Sequence, residues 1–208
     1  MDKVRLEAFT DNVFSIVMTL LIFDIKLPVI PEPVSNAAIW HELAVLSPLL
    51  AIYFLSFAVL SAVWLNHHFI FHSFAKAVDR RLNLMNMTYL AFVAFVPFSA
   101  YFIGSYSTHQ PAAIIYGLNI FIIVAISARM VTYIKKHKDT LLKEDVSPRT
   151  VNQARFRSRL SLFCYTAGLI CSFIDVRLSL FFYAFPVLFT IIPGSLDLTE
   201  KIFRFSLD

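Results

Sequence analysis

Between Arg5 and Pro28 the chain sets Asp11, Asn12, Ser15 and Thr19 into an otherwise apolar run. At 100° per residue, Asp11, Ser15, Lys26, Thr19, Asn12, Phe23 and Ile16 share one arc of about 140° on a helix, and Asp24 lies off it. Carboxylate, amide and hydroxyl oxygens on one face of a membrane helix have two uses. They can replace part of a cation's hydration shell along a pore, or they can form a polar seam between packed helices. Taken singly, Ser15 and Thr19 can also bond to carbonyls one turn back along their own helix. The polar stripe with bulky Ile16, Leu20 and Phe23 nearby adds weight to a pore-lining role, so pore and seam both stand. Asp11 and Asp24 bracket twelve uncharged residues, about 18 Å of helix against a hydrocarbon core of roughly 30 Å. At least one carboxylate, with Arg5 or Lys26 beyond it, therefore lies near or inside the membrane boundary. Such groups are tolerated where they face a protein interior or a water-filled path.

A second polar cluster is Trp64-Leu-Asn66-His67-His68-Phe-Ile-Phe-His72. His68 and His72 stand at i and i+4, a metal-binding spacing, but no carboxylate or cysteine shares their turn and no HExxH occurs; no metal is expected. Trp64, Asn66 and His67 are expected to anchor this helix at the level of Arg5 and Asp11, in a network that satisfies polar groups lipid cannot. Catalytic patterns are absent: no GxSxG, no Walker loop, no GxGxxG. Asp11 and Asp24 are thirteen residues apart, about 20 Å along a helix, and cannot share a proton. Neither an enzyme nor a cofactor is expected. A TVGYG-type filter is also missing; the nearest string, Phe102-Ile-Gly104-Ser-Tyr106, lacks the repeated glycines.

The elements that must position these residues follow from hydropathy. Of 208 residues, 58% are hydrophobic and 15% charged, with a mean hydropathy of +0.70. A soluble domain of this length could not hide that much apolar surface, so the class is an all-α polytopic membrane protein. Six spans are predicted, at about 9–27, 43–72, 84–103, 112–133, 160–174 and 178–193. Residues 134–159 form the one substantial hydrophilic connection. Ser147-Pro148 is a good helix start within it and would carry Arg155, Arg157 and Arg159 into the fifth span. Pro28, Pro31 and Pro33 stop the first span, and Gly104 to Pro111 separates the third from the fourth. Lys3, Arg5, Lys76, Arg80, Arg81, nine Lys/Arg from Arg129 to Arg159, Lys201 and Arg204 fall on one side; Lys26 and Arg177 fall on the other. That asymmetry makes both termini cytoplasmic. It also accounts for the pI near 9.1 without nucleic acid as a partner. Asp2, Glu7 and Asp11 interrupt what would resemble a signal peptide, and no small-x-small site follows. Cys164 and Cys171 are too far apart along one helix for a disulfide.

Arg5-x-x-x-Phe9-Thr10-Asp11 resembles the RxxxFSD signature of the lysosomal potassium channel family, in its bacterial single-repeat form, with Thr10 replacing serine. Trp64-Leu-Asn66-His67-His68, then Asp79-Arg80-Arg81-Leu…Asn86, then Pro97-Phe98 agree in order. The resemblance covers about the first hundred residues. It implies a potassium-permeable cation channel at the plasma membrane, a homotetramer of six-helix chains with the first helix of each lining a central pore. It further implies a constriction at Ile16 continued by Leu20 and Phe23, and a hydroxyl and selectivity layer at Thr19 with Ser15. Phe23 departs from the aliphatic residue expected there. Arg5, Phe9, Thr10 and Asp11 are implied to pack against Trp64, Asn66 and His67. Permeant potassium ions and the lipid bilayer are the remaining expected partners. Four Lys26 side chains near an outer vestibule would repel cations unless they snorkel outward or are screened by Asp24 and Glu32. The second reading is a cation- or proton-coupled secondary transporter, which needs a midplane site in broken helices.

Overall fold

The protein is described by a computed structural model covering residues 2–30, 32, 34–144 and 146–191. Among the described residues are eight α-helices and one π-helical turn. They are α1 (Lys3–Leu20), α2 (Asn36–His68) running into the π turn Phe69–Phe74, α3 (Arg80–Ala94), α4 (Val96–Ser105), α5 (Gln110–Lys136), the short α6 (Lys138–Leu141), α7 (Pro148–Cys171) and α8 (Val176–Ile191). The end of the sixth predicted span, at Ile192 and Pro193, lies outside the described residues.

Local chemistry sets the starts. Ser35 caps α2 by accepting the Ala38 amide at 3.2 Å, and Asp79 caps α3 by accepting the Leu82 amide at 2.7 Å. Each satisfies a backbone donor that the helix leaves over. Asp175 does the same for α8, taking the Arg177 amide at 2.6 Å. Helix α7 begins at Pro148, where its missing N–H is no loss. Pro97 sits in the first turn of α4; without an amide it cannot extend the α3 ladder, and the chain breaks at Phe95.

Three stretches are individually long and apolar enough to cross a membrane: Asn36–Phe74, Arg80–Ser105 and Gln110–Lys136. They carry the second, third and fourth predicted spans with longer ends. Helix α1 is displaced towards the N-terminus, starting at Lys3 instead of Phe9. It stops at Leu20 instead of Leu27, and the chain continues in tight turns closed by Phe23 N to Leu20 O and Ile25 N to Ile22 O, each at 3.1 Å. Pro28 disfavours helix at Leu27 and supplies no amide to the last turn. Phe23 and Lys26 thus fall beyond the helical period that placed them on the polar arc. The predicted connection 134–159 is shorter, because α5 reaches Lys136 and α7 starts at Pro148.

Helix α5 packs against α3, α4 and α7, with fewer contacts to α8, and α7 and α8 form a hairpin. Tyr183 of α8 is fully buried at this junction and donates to the Ala113 carbonyl at 3.1 Å. Its ring contacts Tyr116 and Tyr165, so it has nowhere to retreat. A methyl at Gly117 would overlap its hydroxyl oxygen, and one at Gly168 would overlap its ring edge. At the cation-rich end, the segment after α6 is clipped to the π turn. Lys76 N donates to Leu141 O at 2.8 Å, Lys143 N to Phe74 O at 3.1 Å, and Lys143 Nζ to His72 O at 2.8 Å.

Two outcomes are expected. Gly117→Ala should lower stability by about 1–3 kcal/mol through overpacking, read as a fall in Tm of the purified protein; an unchanged Tm would contradict the packing. The second concerns Asp79, which also accepts the Tyr133 hydroxyl. Burial pushes its carboxyl up, but the bonds from Tyr133 and the Leu82 amide outweigh this and hold it below the usual carboxylate range. A depressed folded-state pKa stabilises above the unfolded value and is lost as pH falls through the folded one. Asp79→Asn should therefore melt below wild type at neutral pH, with the gap closing under acid conditions. A pH-independent gap would remove the charge from the account.

Candidate functional site

Helix α1 has two unlike faces. Leu6, Thr10, Phe14, Val17 and Leu21 are buried, recurring at three and four residues as one face of a helix must. Arg5, Phe9, Asp11, Asn12, Ser15, Ile16, Thr19 and Leu20 are exposed on the single chain. Ile16 is 58% and Phe23 72% exposed, although both are large and apolar. Every residue assigned to a throat or a hydroxyl layer is thus on the unpartnered side. The hydroxyls bond within the helix: Ser15 Oγ donates to Asp11 O at 2.9 Å, and Thr19 Oγ1 to Ile16 O at 2.8 Å. Their hydrogens are turned inward, which leaves oxygen lone pairs pointing away from the backbone. A face of this kind can line a water-filled path, with cation-accepting oxygens at one level and apolar bulk beside them.

The buried face is held by a polar chain across three helices. His67 Nε2 of α2 donates to Asn86 Oδ1 of α3 at 2.8 Å, and Asn86 Nδ2 donates to Thr10 Oγ1 of α1 at 3.0 Å. Thr10 and Asn86 are fully buried and His67 is 3% exposed. The His67 ring stacks on Tyr89 and Phe71, and Phe14 leans on both His67 and Tyr89. At the exposed rim, Trp64 Nε1 donates to Asp11 Oδ1 at 2.8 Å.

Of the residues assigned to packing, the structure therefore brings Thr10, Asp11, Trp64 and His67 together. It does not bring Asn66 to α1. That amide donates to Ser127 Oγ of α5 at 2.7 Å. A side chain next to His67 is turned about 100° around α2 and meets a different neighbour. Nor does it bring Arg5 in: the guanidinium is exposed and forms no hydrogen bond or ion pair among the described residues. Phe9 is 46% exposed on the same side. The central member, Asn86, belongs to the landmarks of the resemblance but not to the residues it implies in packing. A carboxamide inside the stretch from Leu82 to Ala128, which has no charged side chain, was the available signal, since such a group needs a partner. His68 and His72 stack at 4.9 Å, and no group of metal-ligating side chains occurs among the described residues. Cys164 and Cys171 are free.

Comparison with known proteins places this arrangement. Residues 5–97 match the family described as the endosomal/lysosomal potassium channel TMEM175. A potassium channel of Streptomyces collinus is 32% identical over 181 residues, covering 85% of both chains. The chain belongs to the TMEM175 family. A crystal structure of a lysosomal potassium-selective channel TMEM175 homolog from Chamaesiphon minutus superposes with a TM-score of 0.76 at 27% identity. It covers 90% of this chain and 95% of that one. The human endosomal/lysosomal proton channel TMEM175 is 37% identical over 102 residues, 47% of this chain and 20% of its own length. As a TMEM175 family member the protein is a membrane protein, and Thr10, His67 and Asn86, which form the buried chain, lie within the matched residues.

Asn86→Ala should strand Thr10 and His67 together, at about 1–3 kcal/mol for each orphaned group. Trp64→Phe removes only a partly exposed bond and should cost less. Melting temperatures of the two variants check the ranking, and a larger loss for Trp64→Phe would relocate the main tie to the rim.

Proposed function

We propose that the protein is a potassium-permeable channel of the plasma membrane, leak-like and modestly selective over sodium. It assembles as a homotetramer of six-span chains, with both termini in the cytoplasm. The observation that carries this reading is the exposed face of α1, where hydroxyls and large apolar side chains lie uncovered in a member of a channel family. Four copies around an axis would bury those faces against a shared path. Ile16 forms the constriction, a ring of branched side chains narrow enough to gate by dewetting. Leu20 and Phe23 continue the apolar throat outward. Thr19 and Ser15 supply the oxygen layer, with lone pairs available because their hydrogens bond to the helix. Such a layer replaces hydration less completely than rings of backbone carbonyls, which supports modest selectivity and fits the lack of a TVGYG-type string. Helix α7, with Arg155, Arg157 and Arg159, and the shorter α8 complete the six spans through their neighbours. The sixteen cations on one side orient the chain. The relatives carry channel names, so a coupled transporter is not favoured.

Purified protein in planar bilayers under a potassium gradient should carry a current reversing near the potassium equilibrium potential; silence would overturn the channel reading. Ile16→Asn should raise that current several-fold by wetting the throat. An unchanged current in this variant would move the gate elsewhere. Flux assays under potassium, sodium and proton gradients rank the permeant ions and separate channel from transporter by rate.

A further inference from the structure

A half-enclosed cavity of about 360 Å³ lies between α2, α5, α7 and α8, with Phe69 of the π turn and Tyr89 of α3 also in its wall, and no residue of α1 lines it. Its lining combines polar and apolar side chains. Asn66, Ser127, Gln153, Arg157, Ser158 and Ser161 supply its polar groups, with apolar Leu65, Phe69 and Ala154 among them, whereas Val59, Ile123 and Tyr165 lie a turn or more further along their helices from the cation-rich end. Among the described residues, Arg157 is the sole charged side chain in the lining, and no carboxylate opposes it. Gln153, Arg157 and Ser161 form no hydrogen bond or ion pair among the described residues. Arg157 is itself exposed at the cavity's open side, and Arg155 and Arg159, two residues away on α7 and outside the lining, are exposed on the other side of that helix.

A guanidinium with nearby amide and hydroxyl donors and no competing acid matches a phosphate, which accepts from a planar fork and several neutral donors at once. The apolar depth matches the start of an acyl chain. The polar end lies at the level where lipid headgroups sit, and basic pockets between spanning helices on the cytoplasmic side recognise anionic headgroups. At about 360 Å³ the space is near the lower bound of ligand sites, roughly 300–1,000 Å³. It admits a small headgroup with the first carbons of its chains, not a whole lipid. We propose that this cavity binds the phosphate headgroup of an anionic lipid, with the phosphate on Arg157, Gln153 and Ser161 and the chain against Val63 and Ile123. The proposal rests on the cytoplasmic orientation of the cation-rich end and on no step of the conduction mechanism. Asn66 borders the cavity between Trp64 and His67, so an occupant braces the end of α2 that holds α1.

The test is thermal stability and native mass spectrometry of the full chain in detergent. The probes are dioctanoyl phosphatidylglycerol, dioctanoyl phosphatidylcholine and inorganic phosphate. Phosphatidylglycerol should raise Tm and remain bound in the gas phase, and phosphatidylcholine should do neither. Arg157→Gln should weaken phosphatidylglycerol binding by about tenfold or more, and Arg155→Gln should leave it unchanged. Ser161→Phe, which fills the cavity without touching the charge, should give the same loss if Arg157→Gln fails to fold. Equal binding of the two lipids, or wild-type binding in the folded cavity variants, would overturn the site. A response to inorganic phosphate as strong as that to phosphatidylglycerol would keep the phosphate site and overturn the lipid as its source. None of these readouts needs a current, so failure here and failure of the channel reading are distinguishable.

Discussion

Thr10, Asn86 and His67 join three helices through polar groups that neither water nor lipid reaches. A buried amide left unbonded costs about 1–3 kcal/mol, and each of these groups satisfies the next. The chain also has direction. The histidine N–H meets the carboxamide oxygen and the carboxamide N–H meets the threonine oxygen, so α1, α2 and α3 are held in one register. Sliding or turning α1 by a residue would break the Asn86–Thr10 bond and take Phe14 from its place against His67 and Tyr89.

That register fixes the direction of the other face of α1. Because the helix is held through Leu6, Thr10, Phe14, Val17 and Leu21, its remaining surface points away from its own chain. That surface carries Ile16 and Leu20 beside Ser15 and Thr19, a mixture a lipid-facing helix would not favour and a water-filled path can use. The Trp64–Asp11 bond at the rim places a carboxylate near the N-terminal half of the same helix. A packing device and a candidate throat are thus opposite sides of one 18-residue helix.

Next to this buried chain, the loop side of the cation-rich end adds polar contacts nearer the surface. Asp79 caps α3 and accepts the Tyr133 hydroxyl of α5, and the Arg81 guanidinium lies over the same tyrosine ring at 5.2 Å. The segment around Leu141 to Lys143 pairs with the end of the π turn. These ties keep the ends of α2, α3 and α5 together. Both candidate sites share α2: Asn66 borders the cavity, while His67, one residue on, ties into α1.

Much of the architecture was legible in the amino-acid order because it depends on local quantities. Transfer of apolar residues into hydrocarbon is close to additive along a segment, so the long uncharged stretches marked α2 to α5 without knowledge of partners. Caps and prolines act within a turn, and the α7 start at Pro148 followed from them. The helical period likewise put Ile16 and Thr19 on one arc, and the Arg5-to-Asp11 signature pointed to the TMEM175 family. Only the tertiary structure decided which neighbour each polar side chain meets. Asn66 and His67 are adjacent in sequence and alike in needing a partner, yet one goes to α5 and the other to α3 and α1, because their directions from α2 differ and helix positions around it are set by packing. The exposure of Arg5 is of the same kind. It depends on whether surrounding helices offer a contact, and that is a property of the assembled bundle, not of the residues nearby in the chain.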